Sequence, residues 1–273
     1  VGWRRLWPGF YIIIAASLWS TIGVASVLST NPIVLPVFRS IFASIVALFI
    51  RRSLNRSSLM AGLALGVLFA AYPIAAVIAG VGLAAFLLYT APLWATLIAL
   101  ILGERPGIKG VLGVSLVLVA IVLIGAQSIS GAINPFGIAL GLLSGISYGS
   151  YIAIARYYAR GGNEIDVSWG AIPYTLIITV PVALVYSFMT HTWRLMVKPI
   201  LWGAYLGIVT TVIPYRFFAM GVSKVKASTA SVIATVEPVL AALWGFLFFN
   251  QVPTALTLIA YILIIMASVI VSF

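Results

Sequence analysis

The sequence predicts an all-α membrane protein of ten transmembrane helices, arranged as two inverted five-helix repeats. Three observations carry that prediction. The 273 residues are 63% hydrophobic and only 7% charged, where a soluble domain holds about 25% charged residues. The apolar sequence falls into segments near 20 residues, the length that crosses ~30 Å of hydrocarbon as a helix. The charges between those segments alternate, and two stretches of the chain resemble each other.

The net charge of +11 would suggest a nucleic-acid partner in a soluble protein. Here the basic residues sit between apolar runs, where they orient a membrane protein, so the expected partners are the bilayer and a small molecule, with no nucleic acid. The chain has no cysteine and one histidine, His191. Thiol redox chemistry, disulfides and a His/Cys metal site are therefore not expected, and no cofactor is implied. Arg4 and Arg5 precede an apolar run as in a signal peptide, but the run to Leu28 is too long, so an uncleaved first span is expected.

The first span covers about Gly9–Leu28 and ends in the turn Ser29-Thr30-Asn31-Pro32. The second covers about Ile33–Ile50, contains Arg39, and is closed by Arg51, Arg52, Asn55 and Arg56. From Leu59 to Gly103 there are 45 residues without a charge. That is two spans, Leu59–Ala79 and Val81–Leu102, hinged at Gly80 and Gly82. Each has an internal proline, Pro73 and Pro92, and Glu104-Arg105-Pro106 ends the second. Span five covers about Ile108–Ala126, and a polar loop, Gln127 to Pro135, follows. Span six is Phe136–Tyr158, bounded by Arg156, Arg160, Glu164 and Asp166. Span seven is Ser168–Met189, and a loop from His191 to Pro199 carries Arg194 and Lys198. Span eight, Ile200–Val222, holds Pro214 and Arg216, and Lys224 and Lys226 mark the next turn. Span nine is the stretch Ala227–Asn250, with Glu237 and Pro238 near its middle. After the turn Asn250-Gln251-Val252-Pro253, span ten runs from Thr254 to Phe273.

Ten spans put both termini on one side. With that side cytoplasmic, the inner loops hold eleven of the fifteen basic residues, and the outer loops hold only Arg194 and Lys198. The bias is the positive-inside pattern. It predicts a multi-pass plasma (inner) membrane protein with cytoplasmic N- and C-termini, present as a monomer or weak homodimer. Glu104 and Arg105 read as an ion pair at the cytoplasmic end.

Ile78–Pro92 (IAGVGLAAFLLYTAP) and Lys224–Pro238 (KVKASTASVIATVEP) are both 15 residues long and end at a mid-span proline. The same offset takes Glu104 to Asn250. A shorter offset matches Trp19 with Tyr148. Residues 1–130 and 131–273 are thus read as two copies of a five-span unit. Because five is odd, the second copy lies inverted in the membrane. Inverted repeats with interrupted helices characterise secondary transporters, whose site lies at the midplane.

Leu87–Pro106 (LLYTAPLWATLIALILGERP) and Ala227–Gln251 (ASTASVIATVEPVLAALWGFLFFNQ) resemble the fourth and ninth helices of the drug/metabolite transporter (DMT) superfamily, in its EamA-like branch. Arg39 and Glu104 also fit that pattern. Asn250 departs from it, standing where the family usually repeats the glutamate. The resemblance covers nearly the whole chain. It implies a ten-helix inverted-repeat carrier, usually an exporter of amino acids or other small metabolites from the cytoplasm.

Three charges fall inside spans: Arg39, Arg216 and Glu237. Counting ~1.5 Å per residue from the cytoplasmic ends places them about 18, 12 and 16 Å deep, within reach of the midplane. A charge there is costly and marks function or a fixed partner. Arg216 and Glu237 could form an ion pair that locks the bundle. Alternatively, two guanidiniums and one carboxylate could hold a substrate carboxylate. Glu237 is also the candidate for a coupling proton, since an arginine does not exchange protons. Trp19, Tyr72, Tyr89 and Tyr148 are read as aromatic cavity walls with polar tips. Trp94, Tyr151, Tyr215 and Trp244 belong to the same helices. Trp3, Trp7, Trp193 and Trp202 read as interface anchors. Pro73, Pro92, Pro214 and Pro238 mark kinks or hinges.

The expected substrate-binding set is therefore Trp19, Arg39, Tyr72, Tyr89, Tyr148, Arg216 and Glu237. The expected function is export of small metabolites, foremost amino acids, aromatic or otherwise amphipathic, by alternating access. The alternative is an exchanger or facilitator of anionic metabolites such as sugar phosphates. An enzyme is not expected, because the core offers one carboxylate and no histidine where intramembrane catalysis needs paired groups.

Overall fold

The computed structural model of the chain describes residues 7–29, 34–50, 55–126, 134–190 and 197–273. The expectations placed on Arg4, Arg5, Arg51, Arg52, His191, Trp3, Trp193, Arg194, the turn at 30–32 and most of the loop at 127–133 lie outside these residues. The described chain is helical throughout. Nine of its helical spans are long and apolar enough to cross a bilayer, and a tenth, Leu35–Ile50, is shorter.

Span one is α1 (Pro8–Trp19) followed by α2 (Ile22–Ser29), and span two is α3 (Leu35–Ile50). Span three is α4 (Arg56–Ala79), started by Asn55, whose side chain accepts from the Ser58 N–H. Gly80 sits at φ +89°, a left-handed conformation that suits glycine. It allows the hairpin that the uncharged 45-residue stretch required. Span four is split into α5 (Val81–Leu88) and α6 (Ala91–Ile101). Spans five and six are α7 (Ile108–Gly125) and α8 (Pro135–Ala159). Span seven begins with a π turn (Asp166–Gly170) and a 3₁₀ turn (Ile172–Thr175) before α9 (Leu176–Thr190). Span eight is α10 (Val197–Gly207), a π turn (Ile208–Val212) and α11 (Ile213–Val222). Span nine is split into α12 (Ala227–Ala234) and α13 (Val236–Phe249), and span ten is α14 (Ala255–Ser272).

The breaks follow from chemistry. Proline at 92 or 238 supplies no N–H, so a carbonyl one turn earlier loses its partner. In hydrocarbon a free backbone group must be satisfied internally. At each break a hydroxyl adds a hydrogen bond to a carbonyl three residues earlier. Thr90 donates to Leu87 O and Thr235 to Val232 O. At the break in span one, Ser20 and Thr21 donate to Ser17 O and Leu18 O. Pro214 also opens a helical segment, α11. Pro73 differs, because α4 continues through it unbroken.

The two split spans end alike. The residue after α6 and its C-cap is Gly103 at φ +83°, and α13 is capped by Asn250 at φ +53°. In both, the next N–H reaches back into the helix, from Glu104 to Ala99 O and from Gln251 to Gly245 O. A proline follows two residues later, Pro106 and Pro253. The structural counterpart of Glu104 is therefore Gln251. The expected match to Asn250 is one residue out, because the left-handed residue stands 11 positions after Pro92 in span four and 12 after Pro238 in span nine.

Packing centres on α8, which lies against α4, α5 and α6. Gly137, Gly141, Gly145 and Gly149 recur every four residues and share one helix face. A Cβ at Gly145 would lie 2.4 Å from Leu87 O, and one at Gly149 would lie 2.7 Å from Ala91 O. The absent side chains let α8 touch the broken backbone of span four directly. Lipid-facing apolar residues such as Ile101, Phe136, Phe188 and Ile262 remain exposed on the outside.

One consequence is measurable. Gly149→Ala should lower stability by about 1–3 kcal/mol through overpacking, read as a lower melting temperature in detergent. Gly23→Ala, where a Cβ meets nothing within 4 Å, should leave it unchanged.

Candidate functional site

The breaks in spans one, four and nine open into a cavity of about 630 Å³. That volume suits a small-molecule ligand. Trp19, Arg39, Tyr72, Tyr89, Tyr148 and Glu237 all line it, with Pro73, Pro238 and Tyr215. Its other walls are apolar residues such as Leu68, Phe86, Leu88 and Ile121. The lining extends from the interrupted middles of the helices to Val81, Phe249 and Gln251. These residues lie at the end of the bundle away from the basic loops.

Arg39 is held before any ligand arrives. Its Nε donates to Thr211 Oγ1 at 2.7 Å and its Nη2 to Thr210 O at 3.2 Å. Its guanidinium carbon lies 3.8 Å above the centre of the Phe69 ring, a cation–π contact. The π turn at Ile208–Val212 makes this possible, since a π turn interrupts the regular hydrogen-bond ladder and re-aims carbonyls. On its other side the same turn accepts at Val212 O from Trp169 Nε1. Tyr215, one turn on, also interacts with Arg39.

Glu237 occupies the second residue of α13, just past the break at Thr235. A carboxylate in the first turn of a helix is favoured by the helix dipole. Tyr89 and Arg39 are the neighbours that act on its charge. Tyr72 and Tyr148 also feel its charge. Glu237 and Arg39 form no ion pair within 4.0 Å; the salt bridge among the described residues lies elsewhere.

Arg216 does not line the cavity. It stacks on the Trp169 ring at 5.5 Å, and Glu164 is the charge that acts on it. The proposed lock between Arg216 and Glu237 is thus not formed. The two residues are on consecutive spans, but the π turn rotates α11 so that Tyr215 faces the cavity instead.

Below the cavity the rings close up. Trp19 meets Tyr148 edge-on at 6.2 Å, Tyr215 at 5.0 Å and Phe218 at 5.5 Å. Tyr151 packs on Tyr215 at 5.2 Å, and its hydroxyl is committed to Val167 O. Trp94 Nε1 and Trp244 Nε1 are likewise committed, to Thr90 and Ser20. Trp19 Nε1 and the Tyr148 hydroxyl are buried with no hydrogen-bond partner.

Beneath this plug a polar bolt joins four spans at the basic end. Glu104 Oε2 accepts from Arg156 Nε at 2.6 Å, and Glu104 Oε1 accepts from the Ala227 N–H at 2.7 Å. Arg156 Nη1 donates to Val222 O and Ser223 O at 3.2 and 2.6 Å. Lys226 Nζ donates to Arg105 O. The carboxylate thus caps the N-terminus of α12 while the guanidinium covers the C-terminus of α11, both matched to the helix dipoles. The expected pair of Glu104 with Arg105 is replaced by Glu104 with Arg156.

Sequence reasoning passed over Thr210, Thr211, Arg156 and Gln251. Two adjacent hydroxyls before Pro214 were a usable signal for Thr210 and Thr211. Arg156 and Gln251 had none, since their roles depend on which helix ends meet.

The model of the EamA-like transporter family matches residues 135–273, just over half of the chain. An uncharacterized transporter of Archaeoglobus fulgidus is 31% identical over 182 residues, 66% of this chain and 62% of that protein. The uncharacterized transporter YdfC of Bacillus subtilis is 30% identical over 184 residues, 65% of this chain and 58% of that protein. The matched region thus spans less than two thirds of either relative. A solved protein chain superimposes with a TM-score of 0.79 at 21% identity, over 96% of this chain and 95% of that one, and so shares the fold. With its apolar helical spans and the family match over half its length, this multi-pass membrane protein belongs to the EamA-like transporter family.

Proposed function

We propose that the chain is a secondary transporter that exports small metabolites, foremost amino acids, from the cytoplasm. It works by alternating access between two inverted halves, residues 1–130 and 131–273. The observation that carries this reading is one cavity holding Arg39 and Glu237 between aromatic walls, lined toward one end and bolted at the other. Alternating access needs that asymmetry, and the site lies where interrupted helices meet, as in other inverted-repeat carriers. The basic end is taken as cytoplasmic, with both termini there, in the plasma membrane.

The cavity chemistry favours a zwitterion. A guanidinium and a carboxylate leave it without net charge, so a molecule bearing both an amine and a carboxylate meets one partner for each. Tyr72, Tyr89 and Tyr148 offer rings to the amine beside Glu237, and the apolar walls take a side chain. A doubly anionic sugar phosphate would face Arg39 alone, because Arg216 lies over Trp169 and does not line the cavity. The exchanger reading therefore loses the second cation it relied on. Glu237 is the candidate carrier of a coupling proton.

The test is flux of a labelled amino-acid panel in proteoliposomes. The wild type should move members of the panel and respond to a pH gradient. Glu237→Gln should weaken exchange, and the exchange that remains should no longer respond to pH. Movement of sugar phosphates with no amino-acid flux would overturn the assignment. Arg39→Lys should reduce flux by at least about tenfold, because an ammonium cannot reproduce both the Thr211 and Thr210 bonds and the stacking on Phe69. A variant with unchanged flux would remove Arg39 from the site.

A further inference from the structure

The two split spans are built alike but stand differently. In span four, α5 precedes the break and α6 follows it; in span nine, α12 and α13 take those places. α5 and α12 each have eight residues. At the basic end α6 packs on α12, and Glu104, just past the end of α6, accepts from the first N–H of α12. At the other end the equivalent pieces are α13 and α5. Val81 and Ala85 of α5 and Ala241, Ala242 and Gly245 of α13 line the same cavity. Gln251 stands past the left-handed cap of α13 as Glu104 stands past that of α6. Here it lies back over Gly245, where a Cβ would meet its Oε1 at 2.8 Å. The α5 N-terminus has no side-chain cap, and Val81 is 68% exposed.

We infer that Gln251 is the outer counterpart of the Glu104 bolt. When the cavity closes at this end, its carboxamide oxygen accepts from the Val81 N–H, as Glu104 accepts from Ala227. Small residues let the halves approach: Gly82 and Ala85 of span four correspond to Ser228 and Ser231, the latter buried on α12. The two gates differ in charge. Glu104 is a carboxylate on a helix N-terminus and is paired with Arg156, whereas Gln251 is neutral. A neutral acceptor holds a helix N-terminus less strongly than an anion does. The chain is thereby biased toward the state seen here, bolted at the basic end. Gln251 is a positioning residue that sets the balance between the two states.

This rests on the alternating-access reading, and one experiment separates the two. The chain has no cysteine, so single reporters are clean. Ala85→Cys reports the open cavity, and Ser231→Cys, its repeat counterpart, reports the bolted end. Both are labelled with a membrane-impermeant maleimide applied to one face of oriented vesicles. Gln251→Glu should reduce labelling of the Ala85→Cys reporter from the open face by about two- to fivefold, the effect of one charge at a helix N-terminus. It should also raise labelling of Ser231→Cys from the basic face. Glu104→Gln should shift both reporters in the same direction by loosening the bolt, and Gln251→Ala should shift them the opposite way. If Glu104→Gln shifts the reporters and Gln251→Glu does not, the outer gate is not Gln251, and alternating access stands. If neither variant shifts them, both readings fall. Gln251 is exposed, so its substitutions leave the fold intact.

Discussion

Everything in this protein depends on the rule that a backbone polar group in hydrocarbon must find its partner inside the protein. An unbroken helix obeys it automatically. A polar cavity within the membrane needs broken helices, because an intact apolar rod presents no free polar group. At each interruption a hydroxyl adds a hydrogen bond to a carbonyl three residues back: Ser20 and Thr21, Thr90, and Thr235. The glycine face of α8 serves the same end. Spaced four apart, Gly141, Gly145 and Gly149 bring a continuous helix against the broken one, and the discontinuity in span four is supported by close packing.

Charge is managed on the same principle. Arg39 is buried, yet Thr211, Thr210 and the Phe69 ring meet it from neighbouring elements. Glu237 sits in the first turn of α13 and beside Tyr89. The two charges share a cavity without collapsing into a salt bridge. A closed pair would satisfy itself and leave little for a ligand. Held apart, each retains hydrogen-bonding capacity toward the cavity.

The polar bolt and the aromatic plug divide the work of closure. Trp19, Tyr148, Tyr151, Tyr215 and Phe218 exclude water by packing, and Glu104 with Arg156 ties helix ends together by hydrogen bonds. The plug contains two buried donors without partners, Trp19 Nε1 and the Tyr148 hydroxyl.

Composition and the spacing of charges were enough to determine the number of spans, the hairpin at Gly80, and the proline-marked interruptions near Tyr89 and Thr235. These are properties of length, hydropathy and local backbone chemistry, and they survive in a linear reading. Six of the seven residues read as candidates for binding also line the cavity, because a charge or a polar ring within an apolar span has few other reasons to be there. Arg216 shows the limit. Its depth was read correctly enough, but the π turn at Ile208–Val212 rotates α11 and hands its place to Tyr215, a rotation no count of residues reveals. The register of Gln251 with Glu104 and the bond from Glu104 to Arg156 likewise emerged only from three-dimensional packing. A helix carries its own hydrogen bonds within the sequence, but which ends of which helices meet is set by contacts between residues 52 and 123 positions apart.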